Sequence, residues 1–206
     1  MDNYAEILFI NEVRELQDED GIGDTYAKVY PGRTKDSLDE SDASFISARE
    51  SFYIASVSST GWPYVQHRGG PKGFLKVIGD NLLGFADYSG NRQFITMGHA
   101  ANNDKVALFL MDYENKSRLK ILGHIKMQHV KDSDPLLCEQ LKTEGQGKVD
   151  RVATIEVTAL DWNCPKYIPQ LINIEKVKAF THHEFKKLRE ENEALKKELK
   201  RLEVNT

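Results

Sequence analysis

Between Phe52 and Leu160 the chain breaks into seven short runs rich in apolar and β-branched residues, each of strand length. They read FYIASVS, WPYVQHR, FLKVIG, NLLGFAD, KVALFLMD, RLKILGHIKMQHV and RVATIEVTAL, with turn chemistry at Thr60-Gly61, Gly69-Gly70-Pro71, Gly79-Asp80-Asn81 and Glu114-Asn115. Connections this short bring consecutive strands side by side and antiparallel, which predicts a mainly β, α+β domain built as a barrel or sandwich. Two helices interrupt the strands. One is expected over about residues 91–102; the other covers about residues 135–143, with Pro135 early in its first turn after Asp134. Beyond the last strand, Pro165 and Pro169 lack the donors that regular structure needs.

A chain of 206 residues with 40% apolar content can bury one substantial core, so one main domain with appendages is expected. A formal charge of −4 with 29% charged residues offers no broad basic field, which argues against nucleic acid as a partner and makes any anion site local. Cys138 and Cys164 are too few for a disulfide framework and wrongly spaced for a metal, which suits a reducing compartment. No apolar run approaches the ~20 residues of a membrane span, and MDNYAEILF lacks the basic start of a signal peptide. The expectation is a soluble cytoplasmic protein with no membrane partner. Six histidines form no HExxH or similar spacing, so no metal is expected.

Three segments are expected: an N-terminal arm over residues 1–40, a barrel domain over 41–175 and a C-terminal helix over 176–206. The arm sets the apolar strip Ile7, Leu8, Phe9 and Ile10 among acidic and turn-forming stretches and reads as loops. Ser41 and Asp42 are candidate caps for a helix through Phe45, Ile46 and Phe52, with Ser47 and Glu50 spaced like a capping box. The tail from about His182 to Glu203 is nearly all Glu, Lys, Arg, Leu and Ala, the composition of a long exposed helix. Within it Phe185, Leu188, Asn192, Leu195, Leu199 and Leu202 alternate at intervals of three and four, an a/d seam that calls for a second helix.

Two clusters carry candidate chemistry. In the second strand Gln66 and Arg68 project to one face and Val65 and His67 to the other, so a polar pair leaves an element otherwise suited to a core. Gly69 and Gly70 follow, and their bare backbone is read as open to a ligand. The second cluster runs Phe85, Ala86, Asp87, Tyr88, Ser89, Gly90, Asn91, Arg92, Gln93: a strand end turning into a helix start. Free N–H groups beside a guanidinium there make a compact phosphate site. Trp162 is expected to pack on the barrel end, and Cys164 to fill a turn.

In their order and spacing these segments resemble the pyridoxamine 5′-phosphate oxidase-like family of FMN-binding split barrels. The resemblance lies in SFYIASVSSTGWPYVQHRGGPKGFLKV, NLLGFADYSGNRQ and NNDKVALFLMDYENKSRLKILG, and more loosely in DWNCPKYIP. It implies an antiparallel split β-barrel that dimerises and holds FMN at the dimer interface. Carried over by motif, Gln66, His67, Arg68 and Gly69 would line the flavin. Ala86 and Asp87 would meet it through backbone, and Asn91, Arg92 and Gln93 would hold its phosphate. Which of Gln66 and Arg68 stands for the family's strand arginine depends on register. The resemblance further implies an oxidoreductase with a small-molecule substrate or nicotinamide reductant, or else a flavin- or haem-binding module without turnover; no catalytic residue is assigned. Where the true oxidases carry an Arg-Gln pair this chain has Arg118-Leu119, and no tryptophan- and arginine-containing stretch follows Trp162, so pyridoxamine phosphate is not the implied substrate.

Overall fold

The computed structural model describes residues 3–25, 37–144, 146–162 and 166–203, among which Cys164 does not fall. Two units emerge from the pattern of contacts: Met1–Asp112 with Ser117–Pro165, and Tyr113–Lys116 with Lys166–Thr206.

The first unit opens with helices α1 (Tyr4–Leu8) and α2 (Asn11–Glu19) where loops were expected. A side-chain cap tips the balance for α1: Asn3 accepts from the Ala5 and Glu6 N–H groups while Glu6 reaches back to the Asn3 N–H. Tyr4 and Ala5 are buried, and Lys120 places its ammonium 4.6 Å from the Tyr4 ring and 2.9 Å from Asp161. Burial lowers the affinity of Lys120 for its proton, but hydrogen bonds to Asp161 and Tyr4 and the pull of their charges outweigh this and raise its pKa. A raised lysine pKa contributes stability that is complete below the unfolded value of about 10.4 and is lost as pH climbs through the folded one. The thermal midpoints of wild type and Lys120→Gln should therefore differ by a constant gap up to about pH 10 and converge above it; a gap independent of pH would rule this tie out.

Helix α3 (Glu40–Ser47) begins before the start that a cap at Ser41 or Asp42 would set, because Asp39 and Asp42 cap each other's N–H groups. It ends at Ser47, so Phe52 belongs to the sheet. Seven strands follow: β1 (Ser51–Val57), β2 (Pro63–Gly69), β3 (Lys76–Gly79), β4 (Leu82–Tyr88), β5 (Lys105–Asp112), β6 (Ser117–His129) and β7 (Val149–Trp162). They form one sheet in the order β2-β1-β5-β6-β7-β4-β3, every neighbouring pair antiparallel. Helix α4 (Ile95–Ala100) lies between β4 and β5, and α5 (Pro135–Leu141) between β6 and β7, its first turn capped by Asp134.

The sheet curls until its two ends face each other. Phe52 on β1 meets Phe85 on β4 edge to face, ring centroids 5.5 Å apart, and Arg68 on β2 pairs with Asp87 on β4. Among the described residues no ladder joins β2 to β3, so side chains rather than backbone bridge the ends and the barrel is split. Its interior holds Phe52, Ile54, Leu83, Phe85, Leu108, Leu119, Ile121 and Ile155. Trp162 packs across Phe45 with ring centroids 4.6 Å apart and donates to buried Asp42 at 2.8 Å, which seats it on α3.

The second unit carries α6 (Ile174–Glu203), which starts earlier than His182 because Asn173 accepts from the Glu175 N–H. Lys176 pairs with Glu114 at 2.6 Å. Phe185, Leu188, Leu195, Leu199 and Leu202 are all 54–63% exposed. No helix of the described residues is long and apolar enough to cross a membrane.

Candidate functional site

Strand β2 opposes β1 in a register that sets Arg68 against Phe52 and Gln66 against Ile54. Directly opposed residues share a face, so Gln66 and Arg68 both turn inward with two core residues while His67 and Val65 turn outward. Register therefore does not choose between Gln66 and Arg68. Together with Tyr64 they form one wall of a cleft of about 530 Å³. The other walls are Asp87 and Tyr88 at the end of β4, residues 90–94, the start of α4, Met127 and His129 on β6, and Asp150 and Arg151 on β7. Asn91, Arg92 and Gln93 thus reach the cleft, but from a loop. The helix expected from residue 91 begins at Ile95, because the Asn91 side chain accepts from the Gln93 N–H in a local turn and the backbone is left-handed at Arg92 (φ 58°) and Phe94 (φ 53°).

His67, Gly69 and Ala86 line a neighbouring hollow of about 220 Å³, which shares Arg68, Asp87 and Tyr88 with the cleft. Both glycines also meet close neighbours within the chain. A Cβ on Gly70 would lie 2.6 Å from Cγ of Phe74, and one on Gly69 would lie 3.1 Å from Cε1 of His67.

Charge in the cleft is concentrated on one carboxylate. Arg68 Nη1 lies 2.5 Å from Asp87 Oδ1, and Arg151 Nη1 lies 3.5 Å from Asp87 Oδ2. Arg151 also lies over the Phe94 ring, 4.6 Å from its centroid. Among the described residues, the buried Nε atoms of both arginines have no acceptor. Gln66 accepts from Thr96 at 2.9 Å, which ties β2 to α4 and fixes the amide at the cleft wall. Ser89 donates to Asp150 at 2.5 Å.

Arg151 is the residue that sequence reasoning missed. It sits at the charged start of a strand whose remainder is core, and its importance rests on being the direct cross-strand neighbour of Asp87 on β4 and of His129 on β6. A charge at a strand's edge is common; only the pairing of β7 with β4 gives this one a role.

No family model matches the chain, and no curated protein matches it. Among solved structures, HupZ of Group A Streptococcus is 12% identical with a TM-score of 0.50, over 66% of this chain and 99% of its own. The chain has the split-barrel fold of the pyridoxamine 5′-phosphate oxidase-like proteins. A candidate pyridoxamine 5′-phosphate oxidase of Lactobacillus delbrueckii is 18% identical with a TM-score of 0.48, over 63% of this chain and 97% of its own. An FMN-binding protein of Syntrophomonas wolfei is 9% identical with a TM-score of 0.41, over 75% of this chain and 99% of its own. At such identities the likeness is one of fold, and within this split barrel the cleft between β2 and β4 must be read from its own residues.

The residues present fit a flavin nucleotide. A cleft of this volume is of ligand size, Tyr64, Tyr88 and Phe94 offer aromatic walls for a planar ring, and Arg92, on the loop beside Asn91 and Gln93, brings a guanidinium to a phosphate.

Proposed function

We propose that this chain is an FMN-binding flavoprotein acting as an oxidoreductase on a small molecule. The observation that carries this is the opening of Asn91, Arg92 and Gln93, on one loop, into an aromatic-walled cleft whose facing strand presents Gln66 and Arg68. Asn91, Arg92 and Gln93 hold the phosphate; Gln66 and Arg68 line the ring, with His67, Gly69, Ala86 and Asp87 at the adjoining hollow. Bound flavin supplies hydride or electron transfer, and the protein supplies position and charge. Absorbance of the purified protein titrated with FMN, then with NADH or NADPH without oxygen, tests the reading. A yellow complex that bleaches is expected. Failure to take up FMN overturns the reading, and a complex that no reductant bleaches would make the protein a flavin-binding module without turnover.

The working form is a cytoplasmic homodimer, joined through the barrel and through α6. The outer sheet face supports the barrel contact, since Val65, Ala55, Ala107 and Leu122 align in one row across β2, β1, β5 and β6, with exposed Tyr53 and Val57 beside it. The exposed seam of α6 supports the second contact.

A further inference from the structure

We propose that Arg151 and Arg68 form a second anion subsite, apart from residues 91–93, that takes the carboxylate or phosphate of a small acidic substrate. This rests on the flavin reading, which assigns the cofactor's phosphate to the loop and leaves the arginine pair for the second reactant. The pair exists through long-range contacts alone: β7 pairs with β4 to set Arg151 beside Asp87, and the curl of the sheet brings Arg68 to the same carboxylate from β2.

Its electrostatics are unbalanced. One carboxylate faces two guanidiniums whose side chains are 20% and 11% exposed, so a net positive charge sits largely withdrawn from water. Such a charge is costly unless a counter-ion meets it. Asp150, the other carboxylate of the cleft, accepts from Ser89. The Phe94 ring lies 4.6 Å from the Arg151 guanidinium carbon and helps to hold it at the cleft, where a guanidinium can pair with the two oxygens of a carboxylate or phosphate. A purely structural cross-strand pair would need one arginine for one aspartate. A second arginine on the same aspartate leaves one guanidinium charge that an oxyanion entering the cleft can meet.

The test is titration of FMN-loaded protein with acetate and with inorganic phosphate, followed by calorimetry and by the flavin's visible spectrum. Saturable binding of one of them is expected, and which one names the substrate's acidic group. Arg151→Gln should weaken it about tenfold, as loss of a charge-assisted contact does, with FMN affinity unchanged within about twofold. Asp87→Asn removes the competing carboxylate and should tighten anion binding severalfold. Should Arg151→Gln fail to fold, Arg151→Lys keeps the cross-strand charge, loses the planar fork and should still weaken binding. Absence of saturable binding, equal anion affinity in wild type and Arg151 variants, or a loss of FMN affinity in Arg151→Gln matching that of Arg92→Ala would each overturn the subsite. If wild-type protein takes up no FMN, the flavin reading alone fails; the same anions, followed by the thermal midpoint of the unloaded protein and its variants, then decide the subsite.

Discussion

Truncation after Thr181 is expected to weaken self-association by roughly 10²–10⁴-fold while leaving FMN bound, the range by which a tethered second contact commonly exceeds a single one. With Phe185 at position a of a heptad, Asn192 and Leu199 follow at a, and Leu188, Leu195 and Leu202 occupy d. A parallel, in-register pair then sets Glu184 against Arg189 and Glu191 against Lys196 of the other chain, and only Glu198 against Glu203 is unfavourable. Asn192 at an a position selects two strands in register at some cost in stability. An isolated coil of two and a half heptads would be marginal in water. Joined to a dimeric barrel, its second helix arrives at high effective concentration, so the seam can close. Sedimentation of full-length and truncated protein over a dilution series measures the effect. Orientation is read by Leu188→Cys in a Cys138→Ser, Cys164→Ser background: because this position lies toward one end of the seam, it faces itself only in a parallel pair. Equal dissociation constants for the two lengths would remove the coiled coil, and a Leu188→Cys thiol that stays unpaired under oxidation would remove its parallel orientation.

Arg92→Ala should weaken FMN binding about 10- to 150-fold, the equivalent of roughly 1.5–3 kcal/mol for a deleted charge-assisted phosphate contact. Arg92 holds a left-handed backbone, φ 58°, which costs a non-glycine residue on the order of 1–3 kcal/mol and persists where surroundings enforce it. Alanine suffers the same backbone restriction, so this substitution isolates the side chain. Arg92→Gly is the companion variant, expected to relax the loop and raise the thermal midpoint while binding FMN no better than the alanine form. Quenching of flavin fluorescence gives the dissociation constants. An unchanged constant in folded Arg92→Ala protein would take Arg92 out of the phosphate site.

Much of the architecture was legible before any coordinates. The seven strands announce themselves through runs such as KVALFLMD, where alternate residues Val106, Leu108 and Leu110 are buried, and through the turns between them. Helix α5 was marked by Asp134 and Pro135. Helix starts that depend on one side chain choosing between two local partners were not legible: Asn91 bonds to the Gln93 N–H and delays α4, and Asp39 rather than Ser41 caps α3. A glycine in sequence shows only that a side chain is missing, not what lies beside it; the neighbours of Gly69 and Gly70, His67 and Phe74, come from the fold.

The amino-acid sequence by itself determined which segments are strands, that Gln66 and Arg68 share a face, and that α6 carries an apolar seam, since each follows from a period of 2.0 or 3.6 along a continuous stretch of chain. Only the tertiary structure decided that Arg68, Asp87 and Arg151 meet. The contact of Arg151 with Asp87 spans 64 residues and depends on which strand β7 chooses as its partner, while that of Arg68 with Asp87 depends on how far the sheet curls. Both are outcomes of packing Phe52 against Phe85 and the rest of the interior, and a local pattern carries no record of them.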